Sequence, residues 1–409
     1  MLLTEQHVLK GKHWQEADQL CFASKNLFNR GLYSVRQHFF ETDKFLNYNS
    51  LDKQLQKEES YRALPAKVAQ GVLRQIDRGF RSFFGTLQKF NAEPHLFAGR
   101  PKIPKYKEKQ KGRNCLIYSN QAISKKALEK GMIKLSKTSI QVKTKAKQVQ
   151  EVRLVPKPTG EIILEVVFVR GPQDLHLNKN NRLSIDLGVN NLCAMTSDKP
   201  EFQPILVKGG AAKSINQWFN KKKAEMQSLL EEGRKSSKSI HRLIRKRNRK
   251  IKHLFHQVSK FVVESCKAND IGTIVIGRNK QWKQKLNIGK SNNQNFTALP
   301  FFQLIQQISY KAELAGIEVI EVNEAYTSKC SALDLESVEH HENYLGRRIK
   351  RGLFKTAEGI LVNSDVNGSL NILRKAFPKA FADGTEAVEQ NSQEWRSFVV
   401  QPKSAIFAA

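Results

Sequence analysis

The stretch Leu183-Ser-Ile-Asp-Leu-Gly-Val-Asn-Asn-Leu-Cys-Ala-Met-Thr-Ser197 decides how the chain is read. Leu183, Ile185 and Leu187 alternate with Ser184 and Asp186, the period of a strand. Gly188 and Asn190-Asn191 supply turn chemistry, and Leu192–Met195 returns as a second strand. Asp186 therefore lies in the first strand of a predicted hairpin, among residues that belong in a core. A buried carboxylate is costly unless it is paired or bound to a metal. Taken alone, the hairpin is better explained by an Asp at a strand end that is solvated or caps a turn.

A second stretch, Asn363-Ser-Asp-Val-Asn-Gly-Ser-Leu-Asn-Ile-Leu-Arg-Lys375, places Asp365 at the start of an amphipathic helix. Val366, Leu370 and Leu373, with Ile372, make its apolar face; Asn367 and Asn371 lie one turn apart. Two aspartates far apart in sequence, each at the end of an element, are the layout of a nuclease that builds a two-metal site on a mixed sheet.

With Tyr326-Thr-Ser-Lys-Cys-Ser331 between them, the two stretches form an ordered set. It resembles the RuvC-type nuclease of the TnpB (OrfB) family, transposon-encoded RNA-guided DNA endonucleases related to type V CRISPR effectors. The resemblance runs from the N-terminal helices to about Lys375. It implies an α/β plus β fold, with an RNase H-like (RuvC) nuclease domain and an N-terminal helical recognition segment inserted in a small β-barrel. It also implies guide RNA and target DNA as partners and transposition as the setting.

Composition agrees with a polyanionic partner. Lys and Arg number 69 against 38 Asp and Glu, a net charge of +31 over 409 residues. Hydrophobic residues make up 40%, as in a globular chain. No apolar run reaches membrane-spanning length, and the opening residues lack a signal-peptide plan. Cys21, Cys115, Cys193, Cys266 and Cys330 are scattered, which suits reduced thiols in the cytoplasm; the resemblance implies a prokaryotic cytosol, on the nucleoid. A monomer is the favoured state.

In chain order, residues 1–12 read as a strand or arm and 13–98 as helical. The second helical block carries Arg74, Arg78 and Arg81 away from its apolar face. Arg100, Lys102 and Lys105 follow in a proline-broken loop. Short strands from 99 to 175 suggest the wedge-like barrel. The nuclease domain is expected over 176–326 and 361–380, including a helical hairpin at 214–267 whose second arm bears Arg245, Arg247 and Arg249. Residues 327–360 read as a degenerate zinc-finger-like insertion with Arg347, Arg348 and Arg351, and 381–409 as a weakly structured tail. The basic residues named are the candidate nucleic-acid contacts.

Two departures from the family pattern matter. The family places a Glu just after the strand that here is Ile271–Ile276, but this chain has Gly277. Glu324 follows the next strand and would reach the same sheet edge if the two strands are parallel neighbours, about 4.8 Å apart. Gly277 is expected to leave that space free. Glu318 opens the strand at the wrong end, and Glu321 shares a face with Val319. Asp186, Glu324 and Asp365 are thus the candidate catalytic and metal-holding residues, with Mg²⁺ or Mn²⁺ as the ion. The family also places two Cys pairs in the insertion as a zinc site. Here Cys330 stands alone beside His340-His341, so no zinc is expected. The competing possibility, favoured by Gly277, is a nuclease-inactive RNA-guided DNA-binding repressor. A cut-and-paste transposase is the weaker third.

Overall fold

The computed structural model describes residues 1–279, 298–381 and 396–408. They divide into two compact units, Met1–Arg170 and Gly171–Ala409. The boundary lies a few residues before the expected 176, because the linker already docks on the second unit: the Gln173 amide donates to the Leu314 carbonyl at 2.8 Å.

In the first unit, β1 (Leu2–Val8) is followed by α1 (Gly11–Thr42), α2 (Tyr48–Leu55), α3 (Glu59–Arg62) and α4 (Ala66–Ala92). Val68, Val72, Ile76 and Phe80 of α4 are buried against Leu27, Leu32 and Val35 of α1, which is the three-and-four spacing of an amphipathic helix pair. Then come β2 (Leu116–Ser119), α5 (Lys125–Glu129), β3 (Met132–Lys134), β4 (Gln141–Lys143), β5 (Val149–Pro156) and β6 (Ile162–Val169). The long strands form an antiparallel sheet in the order β1-β6-β5-β2, and β3 pairs with β4 in a separate two-stranded sheet. The expected barrel is not what these residues build. The sheet stays open, because α1 and α4 cover its apolar face and closure on itself is not needed to bury it.

The second unit is built on a six-stranded sheet. Its strands are β7 (Arg182–Asp186), β8 (Asn191–Ser197), β9 (Ile205–Lys208), β10 (Thr273–Gly277), β11 (Glu318–Val322) and β15 (Lys403–Ala405), in the order β11-β10-β7-β8-β9-β15. β7, β10 and β11 are parallel, with Ile276 level with Ile185 and Gly277 with Val322. Their C-terminal ends therefore share one edge. β7 and β8 form the expected antiparallel hairpin.

Side chains alternate across this sheet. Leu183, Ile185, Ile274 and Ile276 pack with α6 (Gly210–Ser228), α7 (Lys238–Ala268) and α8 (Phe301–Leu314). The other face takes α9 (Ser364–Ala376): Val275 meets Ile372 and Leu373, while Ala194 and Leu206 share a cluster with Val366 and Leu370. Between β11 and α9 the insertion forms a small antiparallel sheet of β12 (Arg347–Lys350), β13 (Leu353–Lys355) and β14 (Leu361–Asn363). The tail differs from expectation: β15 pairs parallel with β9, and Val399 is buried. Residues 382–395 and 409 of that tail lie outside the described residues. No helix among the described residues is long and apolar enough to cross a membrane.

Candidate active site

Helix α9 is the hub. Asn363 caps it, its side chain accepting from the Asp365 and Val366 amides at 2.9 and 3.4 Å. The next residues each hold a different piece of the unit. Asn367 donates to the Cys330 carbonyl (2.9 Å) and accepts from the Ala332 amide (2.9 Å). Ser369 donates to the Ser184 carbonyl (3.1 Å), and its hydroxyl meets those of Ser184 and Thr196, so three buried hydroxyls satisfy one another. Asn371 donates to the carbonyls of Thr327 (3.0 Å) and Cys330 (2.7 Å), and Lys375 to that of Ala325 (2.8 Å). Helix α9 thus fixes β7 through Ser369 and, from its other side, the loop that follows β11 through Asn367, Asn371 and Lys375.

The three candidate carboxylates gather where these pieces meet. Asp186 ends β7 on the α9 face. A β-carbon built on Gly368 would stand 3.0 Å from its Oδ2, so the helix backbone lies directly over the carboxylate. Asp365, in the first turn of α9, accepts from the Asn191 side-chain amide at 2.7 Å. Glu324 is half-buried just beyond β11, its β-carbon 3.5 Å from where one on Gly277 would be.

Burial, then the charges of Asp365 and Glu324, push the Asp186 carboxyl well above the usual carboxylate range. Arg348 and the Leu187 amide pull the other way. The charges of Asp365 and Glu324 thus bear on the Asp186 carboxyl. Among the described residues no three His, Cys, Asp or Glu side chains close tightly enough to hold a metal ion as they stand. The donor set nevertheless fits a hard cation: carboxylate oxygens, like charges set against one another, and burial that penalises leaving them uncompensated.

The space at Gly277 is not free. A β-carbon there would overlap Cδ1 of Ile372 and stand 3.0 Å from its Cγ1. Ile372 of α9 fills the room a longer side chain would need. Glu318 pairs with Thr273 at the far end of the strand. Glu321 lies on the opposite face, ion-paired with Arg278, whose guanidinium also sits 5.2 Å from the Phe302 ring centre.

The candidate nucleic-acid residues fall into separate places. Arg74, Arg78 and Arg81 are exposed along α4 and line a groove of about 970 Å³ with Lys67, Tyr48 and Asn120. Arg74 lies 4.7 Å from the Tyr48 ring centre, and Arg81 pairs with Asp77 at 2.7 Å. Arg100, Lys102 and Lys105 are exposed in the loop before β2, and Arg347, Arg348 and Arg351 on the insertion. Arg245 and Arg249 lie on α7, half-buried and exposed respectively. Arg247 is otherwise employed: it donates to the Asn216 side chain at 2.8 and 2.9 Å and to the Ala298 carbonyl, and burial pulls its pKa down. It joins α7 to α6 and to the start of α8. Asn191, Gly368 and the closeness of Arg348 to Asp186 carried no sequence signal beyond turn chemistry, a helical glycine and a charge run.

A family model described as a probable transposase (OrfB_IS605) matches residues 167–283, and one described as the TNB domain of Cas12f1-like proteins matches 301–372. The TnpB-like protein ORF457 of Acidianus two-tailed virus is 26% identical over 396 residues, 88% of this chain and 82% of its own. The chain is a relative of the TnpB-like proteins and of the type V effectors. The CRISPR-associated endodeoxyribonuclease Cas12f1 of Sulfoacidibacillus thermotolerans is 33% identical over 131 residues, 31% of this chain and 28% of that one. Among solved structures, a Cas12f1–sgRNA–target DNA complex aligns with a TM-score of 0.55 at 17% identity, covering 88% of this chain and 83% of that one. At that identity the likeness speaks for the mixed α/β fold.

Proposed function

We propose that this TnpB relative is an RNA-guided DNA endonuclease of a transposable element, with an RNase H-like nuclease unit and a wedge-like basic unit. The observation that carries the reading is that Asp365 and Glu324 lie near Asp186, whose buried carboxyl their charges push upward. Such a set suits Mg²⁺ or Mn²⁺, held by those three side chains. When bound, the ions would activate water and stabilise the departing oxygen of a phosphodiester. The chain's own residues do the rest. Asn191 fixes one oxygen of Asp365 by donating to it. The α9 backbone at Gly368 limits where the Asp186 carboxylate can turn. Arg348 brings positive charge to the acids and to a phosphate approaching them. Sequence choice falls to base pairing with the guide, while the basic faces of each unit track phosphates.

Purified chain with its copurified RNA, given a matched plasmid and Mg²⁺, tests the proposal: cutting is expected, and Asp186→Ala should abolish it while binding persists. Gly277, with Ile372 in its place, favours a second reading, an RNA-guided binder that does not cut. Binding without nicking in both Mg²⁺ and Mn²⁺ would establish that one instead.

A further inference from the structure

The insertion between β11 and α9 stands where the resemblance implies zinc, and its side chains do not suit one. Cys330, the single thiol there, donates to the Glu339 carbonyl at 3.5 Å, and burial raises its pKa, away from the thiolate a metal needs. His341 Nε2 donates to the Ser337 carbonyl at 2.8 Å, and the His340 ring packs edge-on against Tyr326, 5.7 Å between centres.

What occupies the centre of the insertion is Glu336, only 5% exposed. Its Oε2 accepts from the Ser331 amide at 2.6 Å and its Oε1 from the Leu345 amide at 2.8 Å. Its own amide donates to the Ser331 carbonyl at 3.2 Å. Its carbonyl accepts from Arg374 of α9 at 2.8 Å, and that guanidinium also donates to Asn371 Oδ1 at 2.9 Å. A buried carboxylate is tolerated only when its oxygens are satisfied, and bonds to a charged acceptor are the stronger kind. Here each oxygen is spent on a backbone amide from a different turn.

We propose that Glu336 takes the place of a zinc ion as the fastener of this insertion, and that through it the insertion positions Arg348 and Glu324. A structural zinc joins two turns through four side chains; Glu336 joins the turns at Ser331 and Leu345 through two amides and pins them to α9. Both ends lead to the site. Cys330, next to Ser331, offers its carbonyl to Asn367 and Asn371, and Asn371 also holds Thr327, three residues from Glu324. On the other side, Gly346 follows Leu345 beneath the Phe354 ring, where a β-carbon would stand 2.6 Å from Cζ. With no room to turn there, the chain enters β12 in a fixed direction, and Arg348 is its second residue.

The fastening role stands on these contacts alone; the positioning role rests on the proposed nuclease reading, and the two are tested separately. The full chain with its copurified RNA is assayed for zinc by elemental analysis, for its thermal midpoint with and without a zinc-selective chelator, and for proteolysis within 331–346. Substoichiometric zinc and a midpoint indifferent to chelator are expected. Glu336→Ala should lower the midpoint by several degrees and open the insertion to protease, with Glu336→Gln intermediate, since the amide keeps one acceptor. One zinc per chain whose removal lowers the midpoint overturns the fastener, as does a Glu336→Ala chain unchanged in midpoint and protease pattern. For positioning, cleavage is measured in a double-mutant cycle: adding Glu336→Ala to Arg348→Ala should give much less than the product of the separate losses. Independent losses overturn it. A wild-type complex that binds but never cuts removes the nuclease reading and the positioning with it, leaving the fastener to be decided by zinc and midpoint.

Discussion

Glu324 stands beside Gly277 at the open edge of the sheet, its β-carbon 3.5 Å from where a β-carbon on Gly277 would be. Because β10 and β11 are parallel, Glu324 follows β11 just past the level where β10 ends, at the same sheet edge as Asp186. Glu324→Gln is therefore expected to abolish cleavage with guide and target binding retained. Glu321→Gln should leave cleavage nearly unchanged, since Glu321 faces the other side and is committed to Arg278. Plasmid cutting beside a binding assay decides; a dead Glu321→Gln with an active Glu324→Gln reverses the assignment.

The same geometry predicts that a glutamate cannot simply be put back. Gly277→Glu drives a side chain into Ile372, and overpacking of this kind costs about 1–3 kcal/mol. In a Glu324→Gln background it should lower the thermal midpoint and restore no cutting. Recovery of cleavage in that double variant would show that Ile372 yields readily.

Gly368→Ala separates activity from stability. An alanine in a helix interior is favoured over glycine by about 1 kcal/mol. The new methyl would stand 3.0 Å from Asp186 Oδ2, tighter than a carbon and a carboxylate oxygen tolerate, so the carboxylate must shift. The variant should keep or slightly raise its thermal midpoint while cleavage falls at least about tenfold, as expected when a site is displaced by a fraction of an ångström. Unchanged cleavage would mean that Asp186 has freedom the backbone at Gly368 does not restrict.

Much of this was legible in the chain itself, for reasons that differ by element. The β7–β8 hairpin and β10 carry the periods of a half-buried and a fully buried strand, and α7 and α8 carry strong apolar stripes. Asp186 and Asp365 stood out because a motif marks them. Glu324 followed from counting residues past β11, given parallel strands. The first unit's sheet is open where its short strands suggest a barrel, because strand periodicity says nothing about what covers a face; α1 and α4 do it. The strand Arg347–Lys350 is exposed at every position and β15 is three residues long, so neither has a pattern to read. Ile372 in the Gly277 space, Gly368 over Asp186 and Asn191 on Asp365 are contacts between distant segments. No local signal announces them.

Asn191 tests that last class of contact. Its amide donates to Asp365 Oδ2 at 2.7 Å from a largely buried position at the start of β8. Outer partners of ion-holding side chains typically account for about 10- to 100-fold in metal affinity or activity. Asn191→Ala should raise the Mg²⁺ concentration for half-maximal cleavage by a factor in that range, with DNA binding unchanged. Asn191→Asp should be worse at low Mg²⁺, because it sets another negative charge against Asp365. An Mg²⁺ titration identical to wild type would remove Asn191 from the site.

Arg247 makes the opposite case, a basic residue whose work is structural. Arg247→Ala leaves the Ala298 carbonyl and the Asn216 side chain without their donor, which costs about 1–3 kcal/mol. The thermal midpoint should fall, while the salt dependence of nucleic-acid binding stays as in wild type, because this guanidinium is turned inward. Arg78→Ala, on the exposed face of α4, should do the reverse: stability is kept, and the slope of log affinity against log salt becomes shallower by about one. A shallower slope for Arg247→Ala with an unchanged midpoint would return it to the set that touches phosphate.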